Sequence, residues 1–246
     1  MAIDEALMDS ARAGRFTLRF YRWRPATLSF GRNQAARGRY DADEARRRGI
    51  GIVRRPTGGR AVYHHQELTY SVTAPAAAWG TLREAYGRIN RALADGLQRL
   101  GSEVACAGRS ERSAARAPAP TARACFRDPL PGEVVARGRK LIGSAQWRDR
   151  GALLQHGSLL LVNEQHVTED LLVSPPARAT AHAGAIGLGD LVDVEPDRAV
   201  IEESIMQAFA AEFAVRLEPA ALTAGEMTRA AALEGRFADS AWTWRR

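Results

Sequence analysis

Lysine is almost missing from this 246-residue sequence: Lys140 stands alone against thirty-four arginines. Cysteine is scarce too, and Cys106 and Cys125 in a chain this long make no disulfide framework. No apolar run approaches the roughly 20 residues that cross a bilayer. The start, Met1-Ala-Ile-Asp-Glu, lacks the basic and apolar stretches of a secretory signal, so the expected location is the cytoplasm, with no membrane partner. Aromatics make up only 7% of the residues, and neither base-stacking platforms nor a helix-turn-helix signal stands out. Nucleic acid is therefore not an expected partner. The usual spacings of a metal site are missing, as are a nucleophile elbow and a phosphate loop ending in Gly-Lys-Ser/Thr. No metal and no resident cofactor are expected.

What is present suits an ordinary globular chain, with 46% hydrophobic and 26% charged residues and a net charge of +7. Its length suits one domain over residues 1–246, and the positive balance favours acidic partners.

Apolar spacing predicts helices over 2–13, 41–49, 81–100, 197–215 and 222–233. In the third, Leu82, Ala85, Ile89, Leu93 and Leu97 form one stripe. Strands are expected at 18–23, 27–30, 51–55, 60–64 and 67–73. A meander follows, over 133–136, 139–147 and 153–162. Residues 108–123, rich in Ala, Arg, Pro and Ser without periodicity, read as a mobile loop. Strands gathered in the middle with helices beside them predict an α+β fold, a mixed β-sheet core flanked by helices.

Three segments carry chemistry. In Arg54-Arg-Pro-Thr-Gly-Gly-Arg-Ala-Val-Tyr-His64, the glycines Gly58 and Gly59 let backbone N–H groups approach an anion or carbonyl, and an arginine before the turn adds a charged donor. A plain hairpin turn is the competing reading. In Gly138-Arg-Lys-Leu-Ile-Gly-Ser-Ala-Gln146, Lys140 is followed by Gly143 and Ser144, small residues that leave room for a substrate. A compact ammonium aimed at one oxygen is a task that arginine's planar fork does not fill, and it would stabilise an oxyanion. Cys125, in Ala124-Cys-Phe-Arg-Asp-Pro129, is a candidate acyl carrier, because a thiolate attacks readily and its thioester stays reactive toward an amine. Cys106 reads as a small buried hydrophobe. His64 and His65 are candidate bases or ligands, and His156 is expected to serve packing or to support the site from behind.

Taken together, these segments resemble the lipoate/octanoate branch of the biotin–lipoate ligase superfamily. The resemblance rests on Met1-Ala-Ile-Asp-Glu-Ala-Leu, Trp23-Arg-Pro-Ala-Thr-Leu-Ser, the double-glycine segment ending at His64, Glu67-Leu-Thr-Tyr-Ser-Val, the Lys140 segment and His156-Gly-Ser-Leu-Leu-Leu. It implies a biotin/lipoate ligase catalytic-domain-like fold. It also implies a substrate pocket holding Arg55, Gly58, Gly59, His64, Gly143 and Ser144, with Lys140 on the acyl carbonyl. Cys-Phe-x-x-Pro ahead of the lysine hairpin is similar to the cysteine-dependent octanoyltransferases. For these, Cys125 and Lys140 are the implied catalytic pair, acyl carrier protein the implied octanoyl donor, and glycine cleavage H protein or an E2 lipoyl domain the implied acceptor. The absence of an accessory domain after Trp244 leans the same way. The resemblance further implies a strand ahead of the first helix, which this sequence lacks, and an acidic residue where His65 stands. An ATP-dependent lipoate–protein ligase, an octanoyl-H-protein amidotransferase and a non-catalytic acyl-binding protein are the competing readings.

Overall fold

The computed structural model describes residues 1–108, 126, 129–175, 183–194 and 196–246. Its largest sheet is antiparallel and runs in the order β1 (Thr17–Tyr21), β5 (Glu67–Pro75), β10 (Ala152–Leu160), β9 (Ile142–Asp149). The mixed sheet is smaller: β3 (Gly51–Arg54) lies parallel and β4 (Val62–His64) antiparallel to the central β2 (Thr27–Phe30). A third sheet joins β6 (Ala105–Cys106), β7 (Val134–Ala136) and β8 (Arg139–Lys140).

Strand alternation sends side chains of the large sheet to two faces. On one face Leu68, Tyr70, Val72 and Leu159 join α3 (Leu82–Gln98) and α5 (Arg198–Phe213) in the main core. The two helices meet closely because Gly96 carries no side chain: a Cβ there would lie 2.8 Å from the Ile205 Cα. On the other face Ala152 and Leu154 pack against Met8 and Ala11 of α1 (Ala2–Arg12). Helix α1 also packs through Ala6 on Leu233 and Phe237 of a C-terminal helix, Ala224–Ala238.

The structure corrects the expected strand over 139–147. The chain leaves the small sheet at Lys140 and enters the large one at Ile142, pivoting on the buried Leu141. That residue donates to Val134 and accepts from Leu160, so it serves both sheets. Leu82 is also corrected. It lies in the first turn of α3, beyond the reach of the core, and is 42% exposed. Most of the expected loop at 108–123 falls outside the described residues. Among the described residues no helix is long and apolar enough to cross a membrane.

Candidate functional site

Where β5, β10 and β9 run side by side, Thr69 lies opposite Ser158, and Ser158 opposite Gly143. Here the large sheet abuts β4, and a narrow cleft, partly open to solvent, forms between them. Tyr21, Trp23, Arg55, His64, Ser144 and His156 are among its walls.

One flank is a chain of buried polar groups. Arg55 Nη1 donates to Ser29 Oγ at 2.5 Å, Ser29 Oγ lies 2.5 Å from His64 Nε2, and His64 Nδ1 lies 2.8 Å from Glu67 Oε1. One proton assignment satisfies every link: the guanidinium donates to the hydroxyl, the hydroxyl to Nε2, and Nδ1–H to the carboxylate. Trp23 stacks on the imidazole with ring centroids 4.6 Å apart. Its indole N–H donates to Thr69, which in turn donates to Glu67. His64 is therefore fixed in plane and tautomer, with a ring edge in the cleft. His65, by contrast, is exposed and pairs with Glu164 at 2.8 Å.

The opposite flank repeats the pattern with different residues. His156 Nε2 lies 2.6 Å from Thr57 Oγ1, and its Nδ1 faces Asp4 Oδ2 at 3.7 Å. Asp4 is fully buried yet takes donors from Arg19 at 2.8 Å and Tyr21 at 3.2 Å. Burial by itself would raise the Asp4 carboxyl's pKa. The α-amino group, His156 and Arg19 outweigh it and hold the carboxyl well below the ordinary range. Burial lowers the pKa of His156, overriding the attraction of Asp4, so this imidazole stays neutral. His156 also lines the cleft.

The double-glycine turn plays a different part from the one expected. Gly58 and Gly59 are exposed, and neither lines the cleft. Gly59 has φ +93° and packs against Gly31 so tightly that a Cβ on Gly31 would sit 1.9 Å from its carbonyl oxygen. Arg55 Nη2 holds the turn by donating to the carbonyls of Gly58 at 3.2 Å and Arg60 at 2.8 Å. The turn thus fixes Arg55 and offers carbonyls inward, not a row of N–H groups. Arg54 is fully buried and donates to the carbonyls of Thr243 at 2.8 Å, Gly31 at 2.6 Å and Gln34 at 2.8 Å. Burial, reinforced by Arg245, Arg246 and Arg55, brings its pKa down to about 10.

Lys140 does not line the cleft. It is buried, and its Nζ donates to Glu133 Oε1 at 2.6 Å. Phe126 lies beside it, with its ring centre 5.3 Å from Nζ. Phe126 packs on Gly143, where a Cβ would come within 2.6 Å of the ring. Gly143 therefore makes room for the Phe126 ring. Ser144 bonds the Tyr70 hydroxyl at 2.7 Å, and Gln155 donates to that oxygen at 2.8 Å and to Asn90 at 3.1 Å. This network ties the cleft wall to α3. Burial pushes the Tyr70 phenol up to about 12, so it stays protonated. Cys125 lies outside the described residues. Cys106 is half-buried, and burial raises its thiol's pKa. Among the described residues no group of three or more His, Cys, Asp or Glu can hold a metal.

Of the residues singled out in the sequence, Arg55, His64, Gly143 and Ser144 line the cleft, whereas Gly58, Gly59 and Lys140 do not. Sequence reasoning missed Asp4, Ser29, Thr57 and Glu67. Only the His64–Glu67 spacing was a usable signal, since a strand turn of that length returns a carboxylate toward an imidazole.

The family model described as the lipoyl protein ligase A/B catalytic domain matches residues 1–213. The chain is 39% identical over 257 residues to "Octanoyltransferase LipM" of Kyrpidia tusciae, covering 100% of this chain and 94% of that protein. It is 40% identical over 257 residues to the protein of the same name from Moorella thermoacetica, covering 100% and 93%. In fold it is similar to a crystal structure of lipoate-protein ligase A bound with ATP, with a TM-score of 0.80 at 23% identity over 99% of this chain and 92% of that one.

Proposed function

Since the chain belongs to the lipoyl protein ligase A/B catalytic-domain family, we propose that it is an acyltransferase, an octanoyltransferase of lipoate biosynthesis. In this reading residues 1–246 act as one catalytic domain in the cytoplasm. Octanoyl arrives as a thioester on acyl carrier protein and leaves as an amide on a lysine of a lipoyl-bearing protein, either an E2 lipoyl domain or glycine cleavage H protein.

The thiolate of Cys125 attacks the thioester carbonyl carbon. The tetrahedral oxyanion is steadied by the Lys140 ammonium, and the carrier's thiolate leaves and takes a proton. The acceptor's amine then attacks the new thioester, loses a proton and expels Cys125 as thiolate. The cleft between His64 and His156 holds the acyl chain, with Ser144 and Arg55 at its walls.

One observation carries this reading. Phe126, the residue after Cys125, is buried against Gly143 in the cleft wall and lies beside Lys140. Phe126 is thereby fixed between Gly143 of the cleft wall and Lys140. For the Lys140 ammonium to reach the oxyanion, the Phe126 ring must turn aside.

Mass spectrometry after mixing the protein with octanoyl carrier protein tests the reading. An octanoyl adduct on Cys125, released by hydroxylamine and missing in Cys125→Ser, is the expected result. Full transfer by Cys125→Ser removes the thioester step. Strict dependence on ATP and free lipoate would identify a ligase, and loading only from octanoyl-H protein an amidotransferase.

A further inference from the structure

Near the double-glycine turn lies a cluster of arginines close enough to feel one another's charge. Arg32 donates its backbone N–H to Thr57 at 2.7 Å, and its carbonyl accepts Arg245 Nη2 at 2.6 Å. Arg245 stacks on Trp242 with its Cζ 3.9 Å from the ring centre, and Arg236 lies over the same ring at 5.1 Å. Trp242 is itself fixed by donating to the Arg54 carbonyl at 2.9 Å. Arg32 lies 5.4 Å over Trp147, and the Arg246 carbonyl accepts the N–H of the exposed Arg37 at 2.8 Å.

Carboxylates are scarce here. Among the described residues the cluster's ion pair is Arg236 with Glu5, and the buried Nε of Arg245 has no acceptor. Burial and the charges of Arg32, Arg246 and Arg236 all press against the Arg245 cation. Like charges gathered without counter-charges cost stability, and aromatic stacking holds them in place at that cost. An arrangement of this kind is complementary to an anionic surface.

We propose that Arg32, Arg245 and Arg246 form the docking face for the acyl acceptor, a small protein domain presenting clustered carboxylates around its target lysine. The proposal rests on the transferase reading above. Position selects the acceptor over the donor. A lysine side chain reaches only about 6 Å from its backbone, so the acceptor's body must touch the rim of the cleft. Arg32 is bonded to Thr57, and Thr57 to His156 in the cleft wall. A donor whose acyl group rides on a long flexible arm has no such constraint.

The test is a binding titration of the apo E2 lipoyl domain at low and high salt. It uses the wild-type protein, Arg32→Glu/Arg245→Glu and, as a variant at an exposed position, Arg37→Glu. Wild-type binding should weaken with salt, as contacts between exposed charges do. The double variant should raise Kd by roughly tenfold or more and flatten that salt dependence. Arg37→Glu should do the same to a smaller extent, while loading of octanoyl from carrier protein keeps its rate in both variants. An unchanged Kd in the folded double variant, an unchanged Kd in Arg37→Glu should the double variant not fold, or no wild-type binding at all, overturns the proposal. So does a higher KM for the octanoyl donor in place of the acceptor effect. If wild-type protein binds the domain, and the variants weaken that binding, but no octanoyl is transferred, the docking face stands and the transferase reading fails.

Discussion

Lys140 donates to Glu133 across 2.6 Å, and both side chains are closed off from solvent, at 2% and 4% exposure. The molecule's lone lysine is thus half of a buried ion pair as well as a candidate for catalysis. Removing one member of such a pair leaves an uncompensated charge inside the protein. Lys140→Met should lower unfolding free energy by about 3–5 kcal/mol, measured by urea titration. Lys140→Met/Glu133→Gln should recover most of that loss. If the single variant is as stable as wild type, the pair is not closed to water in solution.

His156 makes stability depend on pH. Its pKa in the folded protein lies below the ordinary 6.5, chiefly through burial. As pH falls through 6.5 the unfolded chain takes up a proton that the folded chain refuses. The stabilisation is therefore full above 6.5 and is lost progressively down to the lower folded value. The slope is at most about 1.4 kcal/mol per pH unit. Between pH 7 and pH 5 the stability of His156→Gln should fall less steeply than that of wild type. Parallel curves would mean that the imidazole is solvated in the native state.

Gly31 and Gly59 touch backbone to backbone. In Gly31→Ala the new methyl carbon would sit 1.9 Å from the Gly59 carbonyl oxygen, and backbone atoms cannot yield as a side chain would. The turn must move, carrying with it the carbonyl that holds Arg55. A loss of about 2 kcal/mol and at least a tenfold fall in acyl loading are expected, by thermal melt and by mass spectrometry. Gly58→Ala, where a Cβ meets nothing within 4 Å, is the mild control.

Arg54 joins three carbonyls from two distant parts of the chain, Gly31 and Gln34 on one side and Thr243 on the other. Arg54→Met keeps much of the volume but removes the guanidinium donors from the Gln34 and Thr243 carbonyls, while Gly31 keeps the Gln34 N–H. The expected cost is about 3 kcal/mol. The C-terminal segment should also become sensitive to proteolysis, detected as an early cleavage near Trp242. Unchanged protease resistance would assign the anchoring to Trp242 and Trp244 instead.

Much of the architecture was legible from periodicity. The stripe of α3 and the ends of α5 follow the apolar spacing, and the cap at Thr81 lies where the sequence predicts the start of α3. The path around Leu141 was not legible. An uninterrupted strand-like run says nothing about which sheet each half will join, and that choice depends on partners far away in sequence. His64, Arg55, Gly143 and Ser144 were recognisable because unusual residue types and glycines cluster around them. Asp4 was not, since a carboxylate in the first turn of a helix reads as an ordinary dipole partner until the helix is laid on a sheet.

The sequence by itself determined the alternation of strand faces, the helical stripes and the rarity of lysine, all of which depend on residues a few positions apart. Only the tertiary structure decided that Lys140 turns inward to Glu133 and that Asp4 and Thr57 hold His156 from either side. The double-glycine turn likewise faces Gly31 and leaves the cleft to its neighbours. These outcomes rest on burial and on sheet register. A charged group removed from water must find its counter-charge wherever packing brings one, and no local spacing specifies that meeting.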